Sequence, residues 1–108
     1  MSINIDEIFK KYPYLEAYKN FTDLKVKDNP KEAVGGMWDE IGNLQFNYLV
    51  KNGLLKNHSL LDIGCGTLRG GRHFIKYLDA NKYTGVDIST KAIEYSNELI
   101  DKEELRSK

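Results

Sequence analysis

The chain has 108 residues, 41% hydrophobic and 11% aromatic, which suffices for one domain of the usual ~50 to 250 residues and excludes two. Lysines and arginines number 16, as do aspartates and glutamates, so the net charge is zero and the whole-chain field draws in neither nucleic acid nor anionic lipid. One cysteine closes no internal disulfide and completes no zinc site, no apolar run nears the ~20 residues that cross a bilayer, and Asp6 and Glu7 stand where a signal peptide carries cations, so the chain reads as cytoplasmic.

Ile5, Ile8, Phe9 and Tyr12, then Leu15, Tyr18 and Phe21, recur at helical intervals and predict two short amphipathic helices. Pro13 ends or kinks the first, because it lacks an amide donor and crowds the preceding turn. Lys25–Lys31 (KVKDNPK) is polar and reads as a loop, extended by Gly35 and Gly36. Met37–Val50 reads as a helix closed by Gly53, with Gly42 weakening its middle. Ser59–Ile63 (SLLDI) is a short apolar run stopped by glycine, as a buried strand is. After Gly64–Gly71 (GCGTLRGG) come a helix over about Arg72–Leu78, a turn at Asp79–Lys82 and a second strand, Tyr83–Ile88 (YTGVDI). Ser89 or Thr90 caps a last helix in which Ala92, Ile93, Ser96, Leu99 and Ile100 share a face. Asp101–Lys108 (DKEELRSK) reads as a solvated helix end.

Helices followed by βαβα predict an α/β fold with a parallel strand pair and a right-handed crossover. The expected organisation is a helical segment, 1–33, and the first part of a larger α/β domain, 34–108. Parallel sheets normally have more strands and cover on both faces, so this sheet reads as incomplete and the chain as a fragment. An unfinished edge offers a route to self-association.

The informative segment is Leu60–Ser89. Gly64 and Gly66 sit where a strand turns into a helix, and without a β-carbon they let the backbone approach a ligand and take positive φ. Asp87 ends the next strand ~20 positions on, where an acidic side chain accepts hydrogen bonds from ribose hydroxyls. Asp62, two residues before Gly64, lies near the same strand end, and its charge favours a cationic ligand over a pyrophosphate; its alternative is bonding to nearby backbone amides. A dinucleotide fingerprint has Arg69 where its third glycine belongs, and a P-loop has Arg72 and His73 in place of lysine and a hydroxyl residue. Triphosphate hydrolysis is therefore rejected. Arg69 and Arg72 read as solvated, His58 as loop surface, His73 as structural, and Trp38, Phe46 and Tyr48 as core aromatics before cofactor covers.

LLDIGCG resembles the first motif and YTGVDIS the second motif of the class I S-adenosylmethionine-dependent methyltransferases. With VGGMWDEIGNLQFNYLVKNGL upstream, the chain is similar over roughly Val34–Asn97 to a bacterial group with an LRGG form of the loop. The resemblance implies the first βαβα portion of a Rossmann-like methyltransferase fold that binds S-adenosylmethionine. Gly64, Cys65 and Gly66 would line the methionine part through backbone atoms, with Asp62 beside its amino group, Asp87 on the ribose diol and Ile88 on the adenine. Leu68 stands at the third glycine of the commonest pattern, where a side chain narrows the loop. Substrate-side motifs of the family lie on later strands, so the expectation is a cofactor-binding portion inactive alone, its methyl acceptor and catalytic residues unknown and no metal required. Two other readings stand beside it: a non-catalytic cofactor-binding or interaction module, and a nicotinamide-dependent oxidoreductase fragment.

Overall fold

In the computed structural model, which describes residues 5–108, helix α1 (Ile5–Lys11) stops before Pro13, and Pro13 opens α2 (Pro13–Asp28). Proline suits that place because the first helical amide has no partner within the helix. The loop expected from Lys25 begins later. Val26 is buried on α2, while Lys25 and Lys27 face solvent, so one inward apolar residue suffices to carry the helix to Asp28.

The inward face of α2 is not its aromatic one. Tyr14, Tyr18, Phe21 and Leu24 are exposed, whereas Asp23 accepts bonds from Lys19 Nζ (2.7 Å), Ser89 Oγ and Lys91 N (3.1 Å). Burial opposes the charge on Asp23, yet these bonds together hold its carboxyl below the ordinary carboxylate range. They tie α2 to the start of α5 (Thr90–Lys102), where Ser89 is the N-cap and its Oγ accepts from Ala92 N at 3.1 Å.

A 3-10 turn, Glu32–Val34, leads by way of Gly35 and Gly36 to α3 (Trp38–Lys51), close to the expected span. Gly42 does not interrupt α3. It lies where the helix crosses the chain entering α4 (Gly71–Tyr77), and a Cβ there would collide with the Arg69 carbonyl.

Strands β1 (Leu60–Ile63) and β2 (Tyr83–Val86) pair in parallel, with Leu60 opposite Tyr83 and Ile63 opposite Val86. β2 ends two residues short of expectation because Asp87 bends the chain, its Oδ1 accepting from Ser89 N at 2.8 Å. Alternate residues point to opposite faces of the pair. On one face Tyr83 packs with Cys65, Leu68 and Ile75 and with Ile93, Leu99 and Ile100 of α5. The other carries Leu61, Ile63 and Val86, exposed by 60%, 79% and 43%.

The last residues do not form a solvated helix end. Glu104 turns the chain with φ 57°, Leu105 packs on the core and Asn81 N donates to the Lys108 carbonyl at 2.5 Å. The described residues thus form a mixed α/β fold of five α-helices and a two-stranded parallel sheet. Among them, no helix is long and apolar enough to cross a membrane.

Candidate functional site

β1 and β2 end side by side, and the chain leaves β1 by a turn built onto the sheet. Gly64 N and Cys65 N both donate to the Val86 carbonyl, at 2.8 and 3.0 Å. Gly64 and Gly66 take φ values of 78° and 55°, a region that favours glycine. Their missing β-carbons serve different ends. A Cβ at Gly64 would meet none of the described atoms within 4 Å, so that backbone is open to a ligand. One at Gly66 would strike Val34 Cγ1 at 2.5 Å, so Gly66 makes room for a neighbouring wall.

Leu68 is left-handed too, with φ 69°. Its side chain does not narrow the loop as expected; it is 2% exposed and belongs to the core with Cys65 and Ile75. Burying a leucine stabilises by ~2 kcal/mol, more than the ~1 kcal/mol cost of a left-handed residue. The turn keeps its shape without a third glycine.

Over this turn lies an open cleft of about 730 Å³, bordered by Asp62, Gly64, Cys65, Gly66, Asp87 and Ile88 together. A volume of ~300 to 1,000 Å³ is usual for a small-molecule site. Leu15 and Tyr18 of α2, Val34, Gln45 and Arg69 complete its walls. Sequence reasoning missed Leu15 and Tyr18 as wall residues, because their place depends on the distant contact between Asp23 and Ser89.

The two carboxylates are held differently. Asp62 Oδ2 accepts from the Tyr83 hydroxyl at 2.7 Å, a side-chain partner where local backbone amides were the alternative. Asp87 accepts from two amides, Gly66 N on Oδ2 and Ser89 N on Oδ1, each at 2.8 Å. An ionised carboxylate offers about four lone-pair positions, so both keep acceptor capacity toward the cleft. Burial, then the bond to Asp62, drives the Tyr83 phenol well above its ordinary value, which keeps it a donor. Burial, then the charges of Asp62 and Asp87, pushes the Cys65 thiol up to about 12. Cys65 is therefore a neutral wall residue without nucleophilic character. The cleft offers acceptors and negative charge on either side of an open backbone, which suits a ligand bearing hydroxyls and a cation.

The arginines are not solvated. Arg72 Nη2 donates to Asp39 Oδ1 (2.9 Å) and to the Trp38 carbonyl (3.3 Å), and its guanidinium lies 4.7 Å from the centre of the Trp38 ring. Arg69 Nη1 donates to the Gly36 carbonyl at 2.9 Å. His73 packs 5.8 Å from Phe46, and its Nε2 is buried with no hydrogen-bond partner among the described residues. Burial, then the charges of Arg72 and Lys76, holds His73 below its ordinary value, so it is a neutral packing residue. His58 sits at the surface, accepting from Leu55 N at 3.1 Å. Phe46 packs with Phe74 and Tyr77 at 5.6 and 5.4 Å, Tyr48 is exposed, and neither these two nor Trp38 borders the cleft. Among the described residues, no group of three or more His, Cys, Asp or Glu is placed to hold a metal ion.

No known protein family matches the chain, and no solved structure matches it significantly.

Proposed function

We propose that the chain is the S-adenosylmethionine-binding portion of a methyltransferase with a Rossmann-like fold. One observation carries the reading: the open Gly64 backbone, Asp62, Asp87 and Ile88 border a single cleft at the carboxyl ends of two parallel strands, the place where open α/β sheets take ligands. Asp87, held rigid by two amides, accepts from the ribose hydroxyls, and Ile88 packs on the adenine. Asp62, steadied by Tyr83, stabilises the ammonium group, while Gly64 lets the methionine part lie close to the backbone. The bound cofactor supplies the activated methyl group. The chain's own work is to hold and orient it, since the neutral Cys65 and the packed His73 serve as neither nucleophile nor base. A cytoplasmic location fits, and the methyl acceptor stays unassigned.

The nicotinamide reading is opposed by the same walls. Asp87 would serve the ribose of either cofactor, but Asp62 would face a pyrophosphate with like charge, and Arg69, at the third-glycine position of that fingerprint, is engaged with Gly36. Calorimetric titration of the full chain with S-adenosylhomocysteine and, separately, with NADH tests the proposal. Saturable binding of the first and none of the second is expected. Absence of heat with S-adenosylhomocysteine at millimolar concentration sinks the reading.

The bare face of Leu61, Ile63 and Val86 favours a second reading, in which the sheet is completed by another chain or a second copy. Sedimentation across a hundredfold concentration range tests it; a constant monomer mass removes self-association.

A further inference from the structure

The segment 30–38 forms part of the cleft wall through Val34, which fills the space over Gly66. Its backbone is unusual. Gly35, Gly36 and Met37 take φ values of 103°, 68° and 46°, three left-handed residues in succession. Met37 is 61% exposed, so no burial of its side chain offsets the ~1 kcal/mol or more that a non-glycine residue loses there. Such a conformation persists only where its surroundings hold it.

Three side chains from one stretch supply the hold. Thr67 Oγ1 donates to the Pro30 carbonyl at 2.9 Å, Arg69 Nη1 to the Gly36 carbonyl at 2.9 Å, and Arg72 Nη2 to the Trp38 carbonyl at 3.3 Å. Thr67 is fully buried, and Arg72 also stacks on Trp38. The spacing T-x-R-x-x-R therefore presents donors to the first, middle and last parts of the neighbouring segment. The Gly36 carbonyl, in a buried residue, has an energetic reason to stay, since a buried one left unpaired costs ~1 to 3 kcal/mol.

We infer that Thr67, Arg69 and Arg72 form a clasp that seats residues 30–38 as a wall of the cleft, and that Arg69 is the positioning residue on which ligand affinity depends most. The inference rests on the cleft being the ligand site proposed above. Arg69 is singled out because it alone of the three both borders the cleft and grips the left-handed run. The clasp gives the LRGG stretch a role in building the site whether or not its side chains touch the ligand.

The test uses the full chain and four variants: Arg69→Met, Arg69→Lys, Thr67→Val and, as a control, Leu105→Ala. Leu105 packs on the core but does not border the cleft, so its variant loses stability without touching the clasp. In Arg69→Met, amide hydrogen exchange at Gly35 and Gly36 is expected to quicken by about tenfold. Affinity for S-adenosylhomocysteine is expected to fall by about tenfold, as for loss of one charged hydrogen bond. Arg69→Lys, which keeps a charged donor, recovers most of both effects, Thr67→Val shows a smaller version, and Leu105→Ala leaves affinity unchanged. The clasp is overturned if exchange at Gly35 and Gly36 is unaltered in Arg69→Met, or if Leu105→Ala lowers affinity as much as Arg69→Met does. Should the unmodified chain bind no S-adenosylhomocysteine, the proposed function fails on that result alone, and the clasp stands or falls on the exchange rates.

Discussion

The two faces of the β1–β2 pair are cut from the same eight residues, and the more apolar face is the uncovered one. Leu60, Asp62, Tyr83 and Gly85 share the face that packs on α4 and α5, although it includes a carboxylate, a phenol and a glycine; Leu61, Ile63, Thr84 and Val86 share the other, open to solvent. Hydrophobicity alone thus does not decide burial here; the presence of a covering helix does. An exposed Ile63 opposite an exposed Val86 is contiguous, unlike the scattered surface apolar residues that any protein carries.

Substitutions on the two sides should therefore diverge. Ile75→Ala, in the core against the covered face at 6% exposure, is expected to cost about 3 kcal/mol in urea denaturation. Ile63→Ser should change the stability of the isolated chain by under about 0.5 kcal/mol. Equal losses would mean that the open face is covered in solution. Asp23→Ala comes next, at about 2 kcal/mol, because it strips charged bonds from Lys19, Ser89 and Lys91 at once. It should also raise proteolytic cleavage within α2, and cleavage unchanged from the parent would show that the helix is anchored elsewhere. Asp87→Asn is expected to weaken S-adenosylhomocysteine by about tenfold while costing about 1 kcal/mol of stability; undiminished affinity would remove Asp87 from the proposed ribose contact.

The smallest effect is on pH dependence. His73 is held below its ordinary value of 6.5, so the unfolded chain binds its proton first. Stability from this group is present above pH 6.5 and declines as pH falls from there through the lower folded value. Asp23, held below 3.8, contributes stability above that pH and loses it only at more acid values. Melting temperature against pH should show two separate declines, and His73→Gln should flatten the upper one alone. A single decline below pH 4 would contradict the burial of His73.

The order of helices, strand, glycine turn, helix, strand and helix was legible because each element carries its own local signal: apolar spacing, a glycine stop, Ser89 as a cap. Asp62, Gly64, Cys65, Gly66, Asp87 and Ile88 border one cleft for a related reason. They sit at strand ends, and parallel pairing brings strand ends together. What stayed hidden depended on partners far along the chain. Asp23 carries no local signal of its role until Ser89, 66 positions away, meets it, and that contact, with the buried Val26, shows which side of α2 faces inward. Arg69 and Arg72 read as solvated for the same reason, their acceptors lying 33 and 34 positions back. Leu68 differs for another reason: the pattern records which residue stands at a position, whereas the direction of its side chain follows from the backbone twist there.

Cys65, the chain's single cysteine, lies within the glycine turn with its protonated thiol buried in the core below. An alkylating reagent therefore reacts only during moments when that floor lifts, and the labelling half-time becomes a clock for its opening. A compound lodged above should slow the clock in proportion to its occupancy, which turns one inert sulfur into a gauge of the site without any change to the sequence.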